Sequence, residues 1–320
     1  EVTTGLRQGC ILAPSLFILF FAFVVRHATK NLPPDDGVNI RHQTNGDLFN
    51  LRRLRTKLAK TTTVSELLYA DDAGFSRHEQ EALQLLVNRL NSACRQWGLT
   101  ISKEKTEVLH QQSGDPPPTY LEDKALTISS KFCYLGGTVT NDCHLDKEIE
   151  ERIAKASRTF YSLKPKIWDR NGISINTKLL VYNAVIVPTL LYGSETWTTH
   201  VRHLRKIENF NQRCLRQLLG IRWWDRVPNV DVHVRAKSQP SEVLIRGNRL
   251  RWLGHVCRMP DDRLPKQVLF SELSTGKRKR GRPHKRWKDC IKEDLKLFNM
   301  GVDWYKSSQD RNVWRALLYN

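Results

Sequence analysis

The residues most suited to chemistry in this chain are Asp71 and Asp72, two adjacent carboxylates between Leu67-Leu68-Tyr69-Ala70 and Ala73-Gly74-Phe75. The flanking residues read as two short buried strands, Val64 to Tyr69 and Ala73 to Phe75, with the acids at the bend between them. Carboxylates are hard oxygen donors suited to Mg2+ or Mn2+. A metal so held lowers the pKa of an attacking hydroxyl and neutralises charge on a transferring phosphate, and two metals clamp the attacking and leaving oxygens. The bland alternative is an ordinary Asp-rich turn, since Asp favours turns through local hydrogen bonds.

The elements around this turn follow from periodicity. Gly5 to Gly9 reads as a loop opening a helix that carries Phe17, Phe20, Phe21 and Val24 on one face and packs under the hairpin. Residues 31–63 read as a surface excursion that turns basic from Arg52 to Lys60. Leu83, Leu86, Val87, Leu90, Ala93, Cys94 and Trp97 follow helical spacing, and Gly98 stands where a C-cap glycine belongs. Leu99 to Leu109 reads as a strand, and Leu126 to Val139 as a β region bent at Gly136-Gly137. From Asp146 the pattern turns helical. Ile149, Ile153, Ala156, Phe160 and Leu163 mark one helix, and Leu179 to Tyr192, interrupted at Pro188, marks another. Leu204 to Leu219, Val243 to Met259 and Trp287 to Phe298 mark three more.

Composition narrows the partner. The 320 residues carry a formal net charge of +19, which points to a polyanion. Residues 141–320 hold 36 of the 52 Lys and Arg but only 19 of the 33 Asp and Glu, so the excess lies in the C-terminal part. Seven scattered cysteines without a repeating spacing read as reduced thiols of an intracellular protein, nuclear or cytoplasmic. The apolar run from Cys10 to Val25 is interrupted by Pro14 and is too short to span a membrane, and no signal peptide is visible.

Taken in order, the motifs resemble the reverse transcriptase of LINE-type (non-LTR) retrotransposons. Gly5-Leu6-Arg7-Gln8-Gly9-Cys10-Ile11-Leu12-Ala13-Pro14-Ser15-Leu16-Phe17 is similar to the family's Gln-Gly loop and following helix, with Ala13 where many relatives have Ser. Tyr69-Ala70-Asp71-Asp72 resembles its metal-binding turn. Gly98 to Thr106 resembles the strand whose lysine lies near the triphosphate, and Phe132-Cys133-Tyr134-Leu135-Gly136 resembles the hairpin that supports the primer end. Arg249 to Val256 and Gly281 to Asp289 resemble the tail of the RTE-like branch.

The resemblance implies an RNA-directed DNA polymerase acting on an RNA template and a DNA primer or target, with Mg2+ or Mn2+ as cofactor. Asp71 would hold the metal and Asp72 would support it. Tyr69 would shape the nucleotide pocket, with Gln8 and Gly9 contacting template or nucleotide. Lys105 would neutralise or protonate the departing pyrophosphate, and Tyr134, Leu135 and Gly136 would grip the primer. A solvated strand-end lysine and a loop hydrogen-bonder are the plain alternatives for Lys105 and Gln8.

The implied fold is α+β, in three parts. A partial palm of antiparallel sheet with helices occupies 1–144, a helical thumb 145–240, and a basic helical tail 241–320. The family's first catalytic aspartate lies on a strand before the Gln-Gly loop, whereas Asp35, Asp36 and Asp47 follow it here. The chain opens at Glu1 in mid-pattern, and its only methionines are Met259 and Met300. It therefore reads as an N-terminally truncated piece of a longer frame, catalytically incompetent by itself. The competing reading is a relic that binds nucleic acid without catalysis.

In the tail, Lys277, Arg278, Lys279, Arg280, Arg282, Lys285, Arg286 and Lys288 form the densest charge run. A clamp on phosphates is favoured over the AT-hook that Arg280-Gly281-Arg282-Pro283 resembles; a nuclear-localisation run or a solvated linker are further alternatives. Trp223, Trp224, Trp252 and Trp287 interleave with arginines and could stack on bases, though such residues more often fill cores. His255, Cys257, His284 and Cys290 do not have the spacing of a compact zinc site, so zinc is not expected.

Overall fold

Where the apolar period and the caps agree, the chain folds as its sequence reads. The computed structural model describes residues 10–30, 32, 37–44, 47–111, 114, 116–274, 284–301 and 303–319. They divide into two compact units, Glu1–Cys143 with Phe270–Arg278, and His144–Leu269 with Lys279–Asn320. The fold is mixed α and β, with the strands in the first unit and the second almost wholly helical.

In the first unit, helix α1 (Ala13–Thr29) has Pro14 in its first turn, where the missing N–H costs nothing. Its buried side chains are Val24, Val25 and Ala28. Val24 and Ala28 form a small core with Ala93 and Cys94 of α2 (Gln80–Gln96). The expected packing under the acidic hairpin is thus replaced by packing on α2. Phe20 and Phe23 meet the edge of Trp97 at centroid distances of 6.4 and 5.1 Å. Gly98, at φ 73°, ends α2. The Leu99 amide donates back to the Cys94 carbonyl and the Gly98 amide to Arg95, which is the two-bond glycine cap.

The segment 31–63 is not a plain excursion. β1 (Val38–His42) and β2 (Lys60–Val64) pair antiparallel, with Ile40 opposite Thr62. A third strand, Ser271–Leu273, joins the other edge of β1, with Leu273 opposite Ile40. The guanidinium of Arg53 donates to the Phe270 carbonyl and lies over its ring, 5.4 Å from the centroid. The hairpin β3 (Glu66–Tyr69) and β4 (Asp72–Phe75) follows. The expected strand over 99–109 shrinks to β5 (Glu107–Leu109), because the Thr106 amide and hydroxyl both bond the Ser102 carbonyl and fold 102–106 into a turn.

β6 (Tyr120–Leu121) pairs with β7 (Lys124–Ala125), β8 (Thr127–Ser129) runs parallel to β5, and β9 (Lys131–Tyr134) pairs with β10 (Gly137–Thr140). Among the described residues the strands therefore make one three-stranded sheet and four two-stranded pairs.

The second unit begins with α3 (Asp146–Leu163), whose buried face carries Ile149, Ala156 and Phe160. Residues 175–190 stay helical through Pro188. α4 (Ile175–Val181) passes into a wider π-helical turn, Tyr182–Ile186, and then into α5 (Val187–Leu190). The wider turn is a local adjustment that lets helix continue past a proline, which offers no amide and would otherwise strike the carbonyl four residues back. α6 (Val201–Leu219) ends at Gly220 with φ 68°, and α7 (Asn229–Ala236) follows.

α8 (Ser241–Cys257) is central to this unit, touching α9 (Leu264–Leu269), α10 (Trp287–Leu297), α11 (Trp304–Gln309) and α12 (Arg311–Tyr319). Arg249, only 1% exposed, pairs with the fully buried Asp294 at 2.7 Å and donates to Trp197 O and Thr199 Oγ1. Trp314 Nε1 donates to the Leu250 carbonyl at 2.9 Å.

Two glycines of α8 should respond oppositely to alanine. A Cβ on Gly254 would overlap the Trp314 indole, whereas one on Gly247 would meet nothing. Gly254→Ala is expected to destabilise the chain by about 1–3 kcal/mol through overpacking. Gly247→Ala should stabilise it by about 0.5–1 kcal/mol through lower chain entropy. Urea unfolding of both variants checks this, and a shift of the same sign in both would show that the indole does not seal Gly254.

Candidate active site

The acidic turn is built by local register. Glu66 pairs with Phe75, Leu67 with Gly74, Leu68 with Ala73 and Tyr69 with Asp72, which leaves Ala70 and Asp71 as a two-residue connection. Ala70 takes φ 52°, a left-handed conformation that costs a residue with a Cβ about 1–2 kcal/mol. Tight hairpin turns demand it, because their backbone twist must match that of the strands. Asp71 thus lies in the turn, Asp72 opens β4, and both are exposed.

The expectation that these strands are buried is corrected. Leu67 is 48% exposed and Tyr69 64% exposed. Apolar composition marks strands that can be covered, but β3 and β4 pair only with each other among the described residues. A lone pair of strands has no second layer to bury its faces.

A tyrosine from another hairpin holds this one. The Tyr134 hydroxyl donates to the Leu67 carbonyl at 3.2 Å, and its Cε2 would lie 4.0 Å from a Cβ on Gly74, the residue paired with Leu67. Gly74 is a site that composition passed over, although glycine inside a strand often marks close approach of another group. Tyr134 closes the second hairpin, paired with Gly137, and the turn between them is Leu135 and Gly136 at φ 49° and 78°. Two consecutive positive φ values mark the turn that suits tight hairpins. Phe132 stacks on Tyr134 at 6.3 Å. Burial pushes the Tyr134 phenol above its ordinary pKa, and the negative charge of Asp72 adds to the shift. The acidic hairpin and the Leu135–Gly136 hairpin, 67 residues apart in sequence at the Tyr134–Leu67 hydrogen bond, are therefore in contact.

Other expected residues stand elsewhere. Lys105 is exposed in the turn before β5, and β5 in turn lies beside β9. Lys103, two residues earlier, is committed to Glu122 at 2.5 Å. Gln8, Gly9, Lys277, Arg278, Lys279, Arg280 and Arg282 lie outside the described residues. Lys285, Arg286 and Lys288 are half-buried about the start of α10, where Lys285 pairs with Glu293 at 2.7 Å. His255 and His284 are exposed, whereas Cys257 and Cys290 are buried, and burial pushes the Cys257 thiol up to about 11.

The donor set suits a hard divalent ion. Mg2+ is commonly held by one or two carboxylates, with water and substrate phosphate oxygens completing its shell. Asp71 and Asp72 supply such a pair, and among the described residues no group of three or more His, Cys, Asp or Glu side chains converges to hold a metal.

Comparison with known proteins falls on these residues. The family model described as reverse transcriptase (RNA-dependent DNA polymerase) matches residues 1–139. A transposon-derived protein of Caenorhabditis elegans is 26% identical over 80% of this chain and 95% of its own length. The RNA-directed DNA polymerase from mobile element jockey of Drosophila melanogaster is 23% identical over 72% of this chain. The RNA-directed DNA polymerase from transposon X-element of the same fly is 24% identical over 73%. The matched part spans 23% of each fly polymerase. No helix among the described residues is long and apolar enough to cross a membrane.

The closeness of Asp72 to Tyr134 can be tested without any activity. Asp72→Asn removes one of the two causes that raise the phenol's pKa, so tyrosinate at position 134 should form at lower pH than in the parent. Ultraviolet difference titration shows this, with Tyr134→Phe identifying the signal. Superimposable alkaline titrations of parent and Asp72→Asn would separate the two hairpins.

Proposed function

We propose that this chain forms the metal-binding and primer-supporting part of an RNA-directed DNA polymerase of a LINE-type retrotransposon, with a C-terminal portion most like that of the RTE-like branch. The observation that carries the reading is the Tyr134 clamp, which joins the acidic turn to the Leu135–Gly136 turn. The reverse transcriptase match over residues 1–139 and the relatives from mobile elements support it.

In this reading Asp71 and Asp72 hold Mg2+ or Mn2+, which when bound activates the primer 3′ hydroxyl and neutralises charge on the transferring phosphate. The side chains around them do the positioning. Tyr69, exposed and paired across the hairpin with Asp72, offers a face against which a nucleotide can lie. Tyr134 holds the hairpin from one side, and Leu135 and Gly136 present a backbone turn to the primer end. Lys105, exposed ahead of β5, is the cation assigned to the departing pyrophosphate. RNA template and DNA primer are the partners, and the charge excess of residues 141–320 supplies the attraction to their phosphates.

Asp71→Asn tests the reading. In a longer frame that also supplies the upstream aspartate, it should lower metal-dependent extension of a DNA primer on an RNA template by about a hundredfold or more, the scale on which removing one group that stabilises transition-state charge acts. Binding of the primer–template should stay unchanged. Mn2+ binding, followed by electron paramagnetic resonance, should weaken in the same variant. Unaltered extension together with unaltered Mn2+ binding would remove the metal assignment.

A further inference from the structure

Hydrophobic burial runs backwards in the loop between α6 and α7. Its sequence is Ile221-Arg222-Trp223-Trp224-Asp225-Arg226-Val227. The smaller aliphatics, Ile221 and Val227, pack against the core of the second unit. The two indoles between them stay outside, Trp223 85% exposed and Trp224 59% exposed. By contrast Trp168, Trp197 and Trp314 are buried, and the indole N–H groups of Trp168, Trp287 and Trp314 are spent on backbone carbonyls.

The loop has defined internal bonds. The Gly220 turn returns the Ile221 amide to the Arg216 carbonyl, and the Arg216 guanidinium donates to Val227 O and Asn229 Oδ1, each at 2.8 Å. Asp225 accepts the Arg222 amide at 2.7 Å, and its own amide returns to Arg222 O. Trp223 and Trp224 stand edge to face, 5.6 Å between centroids and 77° between planes, with the Arg222 guanidinium 5.9 Å from the Trp224 ring. The indoles are thus held outward by a braced turn, with the ordering cost met by the fold rather than by a ligand.

Charge selects the ligand. Arg222 and Arg226 are exposed on the loop, and the half-buried Arg216 is bonded to Val227 O at its far end. The acids near by are Asp225, which is bonded to backbone, and Asp231 on α7. Aromatic faces interleaved with arginines match unpaired bases joined by phosphates. We propose that the Trp223–Trp224 loop is a stacking platform for a single-stranded nucleic acid, separate from the metal turn. The proposal rests on the reading above that nucleic acid is the partner of this chain. Val230 and Val234, exposed one turn apart on α7, are the feature a protein partner would use instead.

The test uses the whole chain and fluorescein-labelled uridine or thymidine homopolymers of about 20 nucleotides. The double variant Trp223→Ala, Trp224→Ala should bind the single strand at least about tenfold more weakly, because each lost stacking contact carries a sizeable share of affinity. Trp223→Phe should keep most of it. The slope of log affinity against log salt should not change in the tryptophan variants and should become shallower by about 0.7 in Arg222→Ala, since one phosphate contact is lost.

Binding to a blunt duplex should be indifferent to the tryptophans, and the parent's intrinsic fluorescence should fall on addition of single strand. Circular dichroism confirms the fold of the variants, whose changed side chains are exposed. Unchanged single-strand affinity in a folded double variant overturns the platform and leaves the patch to a protein partner. A parent chain that binds neither single strand, duplex nor primer–template overturns the nucleic-acid reading along with it.

Discussion

A two-stranded hairpin is marginal in water by itself, because it has too few neighbours to bury a face. The acidic turn sits on such a hairpin, so its geometry depends on what grips β3 and β4 from outside. The grip is the Tyr134 phenol, a hydroxyl on the Leu67 carbonyl and a ring against the glycine opposite. A neutral hydrogen bond of this kind contributes only about 0.5–1.5 kcal/mol net. Its consequence is geometric. It ties the hairpin that carries the left-handed Ala70 turn to the hairpin that carries the left-handed Leu135–Gly136 turn.

The helical unit uses a different constraint. Asp294 is fully buried and receives both Arg246 and Arg249, and Arg249 reaches on to Trp197 O and Thr199 Oγ1. A buried ion pair is weak evidence for added stability, since desolvation offsets much of the attraction. What this network does is fix α8 against α10 and the 194–199 turn with every strong donor answered. The Arg249-Leu250-Arg251-Trp252-Leu253-Gly254-His255-Val256 segment therefore divides by face: Arg249, Leu250, Leu253, Gly254 and Val256 are inside, and Arg251 and His255 are outside. Not every cation in the basic C-terminal half is available to a polyanion.

Legibility in the sequence followed the range of the interactions. α2, α3, α6, α8 and α10 were readable to within a few residues because apolar period and caps such as Gly98 are local signals. Passage of the helix through Pro188 was half readable, as an interruption whose repair by a wider turn depends on the packing around it. The pairing of β1 with Ser271–Leu273 was not readable, since the partners lie more than 200 residues apart and each segment is too short to show a period. Exposure of Leu67 and Tyr69 was missed for a related reason. Residue type says that a strand can be covered, whereas the covering surface is a property of other segments. Within the site, the spacing of the Asp pair and of Tyr134-Leu135-Gly136 was legible, but their meeting was not.

Tryptophan shows why composition alone could not separate support from surface. Burying a large aromatic side chain contributes about 1.5–3 kcal/mol, so a fold that leaves two of them outside forgoes that stabilisation twice. Nothing in Trp223-Trp224 differs as residue type from Trp197 or Trp314. The difference lies in what brackets them: Ile221 and Val227 already fill the nearby core, and the Arg216 and Asp225 bonds hold the loop in a turn. Apolar area kept in water by a braced backbone can be buried by an incoming ligand without a further ordering cost in the loop. That ligand must present flat apolar faces and tolerate arginine at its edge, a combination that stacked, unpaired bases supply.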